Sequence, residues 1–233
     1  MKTISLQSGS SGNCYYVETG GMKLLFDAGI TASMAAKRLL ENGCDIKDVD
    51  ALIISHDHGD HARHTGVYSR KYKMPVYITQ RTYEVAAKRH GIGKMNEISH
   101  FRIGDVISLD GVSIETFPSS HDTADGALFV ISSNGKRLGI WTDLGQPSDE
   151  LYPLIATLDG IFIESNYDPL MLDNGPYPAF LKKRIKGPEG HLSNMDCAGL
   201  LKAGTKLQWA CLAHISNNNN SPETALETNR RIA

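Results

Sequence analysis

Ile54-Ser55-His56-Asp57-His58-Gly59-Asp60-His61-Ala62-Arg63-His64-Thr65 is the stretch that decides how this 233-residue chain is read. The apolar run 51–54 leads straight into it and has the length of a short buried strand. Within six residues the stretch then carries four side chains of metal-ligand type, His56, His58, Asp60 and His61, with Gly59 among them. Imidazole and carboxylate are donors that zinc, manganese and iron accept. Alternate residues of an extended segment point to one side, so His56 and His58 can face one point. Asp60 and His61 then turn toward a second. A solvated loop has no need of such density directly after a buried strand.

The hexad His56-Asp57-His58-Gly59-Asp60-His61 resembles the signature of the metallo-β-lactamase superfamily. That resemblance asks for three more residues, each after a later strand, and the chain supplies all three. His121 stands in F-P-S-S-H-D after a strand expected at 112–117, and Asp143 in W-T-D-L-G after one at 137–141. His214 stands in C-L-A-H-I-S after one at 207–213. Loops at the C-terminal ends of strands are where side chains gather into sites. The resemblance implies that His56, His58 and His121 hold one divalent ion, that Asp60, His61 and His214 hold a second, and that Asp143 bridges them. It also implies an α/β (α+β) fold, the αββα sandwich: two mostly antiparallel sheets face to face with helices outside, in one domain over residues 1–233. Zinc and manganese are the expected metals, with iron a further option, since no thiolate selects among them. Two close cations acidify a shared water and neutralise charge in the transition state, so no side-chain nucleophile is required. Asp60 is expected to orient that nucleophile as well as to bind metal.

Further motifs narrow the resemblance. S-G-S-S-G-N at residues 8–13, E-S-N-Y-D at 164–168, G-H-L-S-N at 190–194 and A-H-I-S-N-N-N at 213–219 resemble the small bacterial YycJ/WalJ-like branch, which implies 5′-to-3′ exonuclease action on DNA. In that reading His191 is the proton donor to a poor leaving group, and Glu164 hydrogen-bonds it. The plainer reading of His191 is a helix cap or a solvent-facing ring. Ser11 and Asn13 sit in a small-residue turn whose backbone N–H groups can offer a phosphate nest, or which is simply a tight turn. Ser193 is a candidate substrate contact and equally a cap for the helix that follows. Seventy residues lie between Asp143 and His214, too few for the large inserted domain of longer nucleases. Basic runs at Arg70-Lys71-Tyr72-Lys73 and Lys182-Lys183-Arg184-Ile185-Lys186 are candidate phosphate contacts or ordinary solvated helix faces.

Composition is that of an ordinary soluble protein, with 41% hydrophobic and 21% charged residues. The formal net charge of −2 provides no global basic field for nucleic acid. Four scattered cysteines, Cys14, Cys44, Cys197 and Cys211, form no C-x-x-C pair and read as reduced thiols. Neither an export signal nor a membrane span is visible, so a cytoplasmic location is expected. Helices are expected at 31–42, 81–90, 149–158, 178–186, 194–203 and 222–232. Additional strands are expected at 14–17, 22–26, 75–78, 106–109, 127–132 and 160–164. The rival function is hydrolysis of a small molecule on the same fold: a thioester, a lactam or a cyclic nucleotide.

Overall fold

A tight hairpin begins the first sheet. β2 (Cys14–Thr19) turns back on β3 (Met22–Phe26) through Gly20 and Gly21, whose φ values of 60° and 85° are those a two-residue primed turn demands. β1 (Lys2–Gln7) pairs antiparallel with β2 at the edge. From β3 onward the neighbours β4 (Ala51–Ile53), β5 (Val76–Thr79) and β6 (Ile98–Phe101) are parallel. A mostly antiparallel sheet was expected, and this one is mixed. The reason is local: parallel neighbours need a crossover. The chain supplies one each time, with α1 (Ala32–Glu41), then α2 (Gly59–Ala62) and α3 (Thr65–Tyr72), then α4 (Gln80–His90).

The computed structural model describes all 233 residues and resolves them into two compact units, 1–118 with 123–127, and 119–122 with 128–233. In the first unit, Ala35 and Leu39 of α1, Tyr68 of α3 and Ala86 of α4 pack on Tyr16, Leu25, Leu52, Val76 and Ile78 of the sheet. Tyr15, Val17, Leu24, Phe26 and Ile53, whose side chains alternate with these, are also fully buried. A strand buried on both faces reads as a continuous apolar run, which is what residues 51–54 show. The hairpin β7 (Val106–Leu109) and β8 (Val112–Pro118) completes this unit.

In the second unit Asn134 and Gly135, at φ 51° and 72°, turn β9 (Ala127–Ser133) into β10 (Lys136–Trp141). β11 (Gly160–Glu164) and β12 (Trp209–Ala213) then add in parallel, so the second sheet is mixed as well. The helices here are α5 (Leu151–Ile155), α6 (Pro169–Asn174), α7 (Ala179–Lys186), α8 (Asn194–Ala203) and α9 (Pro222–Ile232). No helix is long and apolar enough to cross a membrane.

Asp159 ties the strand starts of the second unit together. Its carboxylate accepts from Arg137 N at 2.9 Å, Lys136 Nζ at 3.3 Å and Lys206 Nζ at 3.0 Å. Partial burial works against the charge, but these donors outweigh it and hold the carboxyl below its ordinary 3.8. The unfolded chain therefore takes up this proton first on acidification. The stabilisation is complete above the ordinary value and fades as pH falls through the lower, folded one. Both lysines are half-exposed and screened, so Asp159→Asn should cost about 1 kcal/mol at neutral pH. That difference should vanish in urea titrations repeated at low pH.

Candidate active site

The first unit contributes the histidine loop. β4 ends at Ile53, and Ser55, two residues on, is fixed by Asp27: its N–H and its hydroxyl each donate to Asp27 Oδ1 at 2.8 Å. Asp27 itself is 1% exposed and sits at φ 64°, a left-handed conformation that is uncommon outside glycine. His61 Nδ1 lies 2.7 Å from Asp27 Oδ2. A carboxylate only accepts, so Nδ1 carries the proton and Nε2 offers its lone pair. His56 Nδ1 lies 2.9 Å from Ser55 Oγ, whose own proton goes to Asp27, so the same tautomer follows for His56. The His56 ring lies 4.1 Å from that of His61 and 4.9 Å from that of His58, centroid to centroid. Asp60 Oδ2 stands 3.7 Å from His61 Nε2.

Asn13, fully buried, braces this loop. Its backbone N–H donates to Asp60 O at 2.7 Å, and its side-chain Nδ2 lies 2.8 Å from His61 Nε2. Ser11 is exposed at the turn's tip, where its Oγ accepts from Gln7 Nε2 at 3.1 Å. His64 is half-buried. Burial first, and the neighbouring Arg63 second, hold its pKa below the ordinary value. His90 Nε2 is 2.9 Å from Asp57 O, and His100 Nδ1 is 3.0 Å from Ile78 O.

The second unit gathers His121, Asp143, Glu164, His191 and His214. Asp143 follows β10 and His214 follows β12, and both adopt positive φ, 56° and 51°. Such strain persists where the surroundings over-determine it, commonly at functional sites. Asp143 Oδ1 is 3.5 Å from His121 Nε2 and 3.6 Å from His214 Nε2. Hydrogen bonds are shorter, roughly 2.7–3.2 Å. Two donors each at about 2.1 Å from one ion in tetrahedral geometry lie about 3.4 Å apart. The observed separations match that spacing, so this donor set could hold a divalent cation.

Glu164 stands behind these side chains. Its Oε1 lies 2.8 Å from both His191 Nδ1 and His214 Nδ1, while Oε2 accepts from Leu144 N at 2.7 Å and Leu192 N at 3.3 Å. Full burial would raise its pKa. The charge and hydrogen bond of His191, then those of His214, reverse this and hold it below the usual carboxylate value. His121 Nδ1 is 2.6 Å from Gly190 O. His56, His61, His121 and His214 are thus each fixed through Nδ1 by an oxygen outside the set. Metal-binding histidines use this arrangement to set tautomer and orientation. His191 joins the group, its ring 4.8 Å from that of His121 and 5.3 Å from that of His214.

Ser193 is 4% exposed and caps α8, accepting from Asp196 N at 3.1 Å and donating to Asp196 Oδ2 at 2.6 Å. Of the basic runs, Arg70 bonds the Ile92 and Lys94 carbonyls, and Lys71 lies over the Tyr72 ring. Lys182 and Lys186 both bind Asp173, and Arg184 pairs with Asp122.

Sequence reasoning missed four supporting residues. Asp27 and Ser55 carry the only clue one could use, their place within two residues of a strand's end. Asn166 donates to His214 O at 2.8 Å, and Asn220 donates to the Ser165 and Asn166 carbonyls at 2.9 and 3.1 Å. The asparagine run 217–220 thereby acquires a role: its end locks the loop after β11 on which Asn166 sits.

Comparison with known proteins shows the family and the fold. The profile of the metallo-β-lactamase superfamily matches residues 8–148. Exodeoxyribonuclease YycJ of Bacillus anthracis is 35% identical over 226 residues, 94% of this chain and 84% of the relative. Exodeoxyribonuclease WalJ of Streptococcus pneumoniae serotype 2 is 35% identical over 224 residues, 94% of this chain and 83% of that one. The fold is shared with YhfI of Bacillus subtilis, a metallo-β-lactamase fold protein, at TM-score 0.77 and 16% identity, covering 99% of this chain and 92% of that one. With its His/Asp clusters implying divalent metal ions, the chain belongs to the metallo-β-lactamase superfamily of metal-dependent hydrolases, in its YycJ/WalJ-like branch.

Proposed function

We propose that this protein is a 5′-to-3′ exonuclease acting on DNA in the cytoplasm. In this reading His56, His58, Asp60, His61, His121, Asp143 and His214 together hold two divalent ions, manganese or zinc. The names of the two 35%-identical relatives support the substrate class, and the order of the motifs supports the ligand set. Bound ions of this kind supply an acidified water as nucleophile and neutralise charge developing on the phosphoryl group.

The observation that carries the reading within this chain is the pair His191–Glu164. A thiolate leaves from a thioester without help, whereas an alkoxide leaving from phosphorus benefits from a proton. Glu164 Oε1, 2.8 Å from His191 Nδ1, fixes the ring through that nitrogen, which leaves Nε2 as the atom that gives a proton to the leaving oxygen. Afterwards the neutral ring keeps its proton on Nδ1. Asp60 orients the attacking water. Ser11 meets the strand at the exposed turn, while Asn13 and Ser193 act through the loop and the helix they hold.

The test uses 5′- and 3′-labelled single- and double-stranded DNA, with RNA alongside, in Mn²⁺, and His58→Ala as control. Mononucleotides released from the 5′ end by the wild type alone are the expected result. Rapid turnover of thioesters or cyclic nucleotides without DNA cleavage would transfer the assignment to the small-molecule alternative. His191→Ala should retain metal and lose about a hundredfold or more in kcat on DNA. Its loss should be much smaller on a p-nitrophenyl phosphodiester, whose leaving group needs no proton. Equal losses on both substrates would remove His191 as the proton donor.

A further inference from the structure

Arg63 is exposed and stands two residues beyond the histidine loop, at the end of α2. Its side chain lies back across Gly59, inside the loop. A Cβ at Gly59 would be 2.8 Å from Arg63 Nη2 and 3.3 Å from Nε, so only glycine lets the guanidinium lie on the loop backbone. The neighbouring arginines are spent on protein partners. Arg89 pairs at 2.7 Å with buried Asp57, Arg70 binds two carbonyls, and Arg38 binds Leu6 O and Gln7 Oε1. Arg63 has no carboxylate within ion-pair distance and no hydrogen bond from its side chain. Asp57 is already neutralised by Arg89, and Asp60 faces His61. A positive charge with an unspent planar fork is therefore left at the rim of the loop, beside half-buried His90, whose Cε1 is 3.2 Å from the same Cβ position.

An arginine with its fork open matches an oxyanion that presents two oxygens side by side. We propose that Arg63, seated on Gly59, binds a phosphate of the substrate next to the scissile one. This rests on the nuclease reading for the identity of the ligand. The phosphate is either the terminal 5′-phosphate or an internal diester, and the two differ in the test.

Metal-loaded wild type, Arg63→Gln and Arg63→Lys would be titrated with 5′-phosphorylated and 5′-hydroxyl oligonucleotides over a range of salt, and separately with inorganic phosphate. Arg63→Gln should bind the phosphorylated oligonucleotide about tenfold more weakly, with a log–log salt slope lower by about one unit. Arg63→Lys should restore the slope and only part of the affinity, since it keeps the charge and loses the fork. An equal loss on both oligonucleotides assigns the seat to an internal diester; a loss confined to the phosphorylated one assigns it to the terminal group. Weaker inorganic-phosphate binding by Arg63→Gln, in a protein whose wild type neither binds nor cleaves DNA, would uphold the seat and discard the nuclease reading. Unchanged phosphate affinity with unchanged oligonucleotide affinity and slope overturns the proposal.

Discussion

Asp143→Asn is expected to give a folded protein that has lost most of its tightly held metal and at least about a thousandfold of its turnover. Replacing residues that only support a metal ligand already costs roughly 10–100-fold, and in the proposed function Asp143 is itself a ligand. Its Oδ1 lies at 3.5 and 3.6 Å from two imidazole nitrogens, spacings that a shared ion explains and a hydrogen bond does not. Asparagine keeps the shape and removes the charge. It also tolerates the left-handed backbone at φ 56°, so an unfolded variant would not be the cause of the loss. Asp143→Ala lacks that advantage and should add roughly 1–2 kcal/mol of backbone strain to the loss of the ligand. Elemental analysis after gel filtration, circular dichroism and turnover on DNA together read the result. Full metal content with near-normal turnover in Asp143→Asn would mean that Asp143 is not a ligand.

The same residue shows why part of this site could be read from the sequence and part could not. His56, His58, Asp60 and His61 are legible because they crowd one short loop behind an apolar strand, a local pattern with no bland explanation. Asp143 and His214 have no local signature and become readable only once the family order is supposed. Asp27 and Ser55 have neither. Their contribution is a network joining the end of β3 to the loop after β4, and those strands become neighbours only on folding. The fold follows the same division. Hairpins at Gly20-Gly21 and Asn134-Gly135 were marked by their turn residues, and α8 by its serine cap. β1, K-T-I-S-L-Q, is an edge strand with one fully buried residue, and it is specified by its pairing with β2 rather than by its own composition. α3, T-G-V-Y-S-R-K-Y, combines a glycine with β-branched and aromatic residues of weak helix propensity. Tyr68, buried in the core and bonded to Ile30 O at 3.1 Å, holds it in place. Mixed sheets, too, are a property of how helices return the chain, which composition does not display.

Gly29→Ala is expected to be the most destabilising single methyl this protein can acquire near its histidine loop. A Cβ at Gly29 would lie 1.7 Å from Asp60 O, 2.4 Å from Asp60 C and 2.6 Å from Asn13 N, all backbone atoms that cannot rotate away. The three segments meeting there are tied by Gly29 N to Asn13 O, Asn13 N to Asp60 O and Ala28 N to His61 O, at 3.0, 2.7 and 2.6 Å. Accommodating the methyl group means parting those bonds and pushing Asp60 and His61 off their positions. Overpacking alone costs roughly 1–3 kcal/mol, and each broken buried backbone bond adds about 1 kcal/mol or more. A total of about 4 kcal/mol or more follows. Gly199→Ala serves as the control: nothing lies within 4 Å of its Cβ, and it sits inside α8, where alanine is the better helix former. Thermal and urea unfolding should show Gly199→Ala at or above wild type and Gly29→Ala far below it. Should Gly29→Ala remain folded, its metal affinity should still fall, because Asp60 and His61 would be displaced together. Wild-type stability and metal content in Gly29→Ala would show that the three segments do not meet as closely as described, and the bracing of the histidine loop by Asn13 would fall with it.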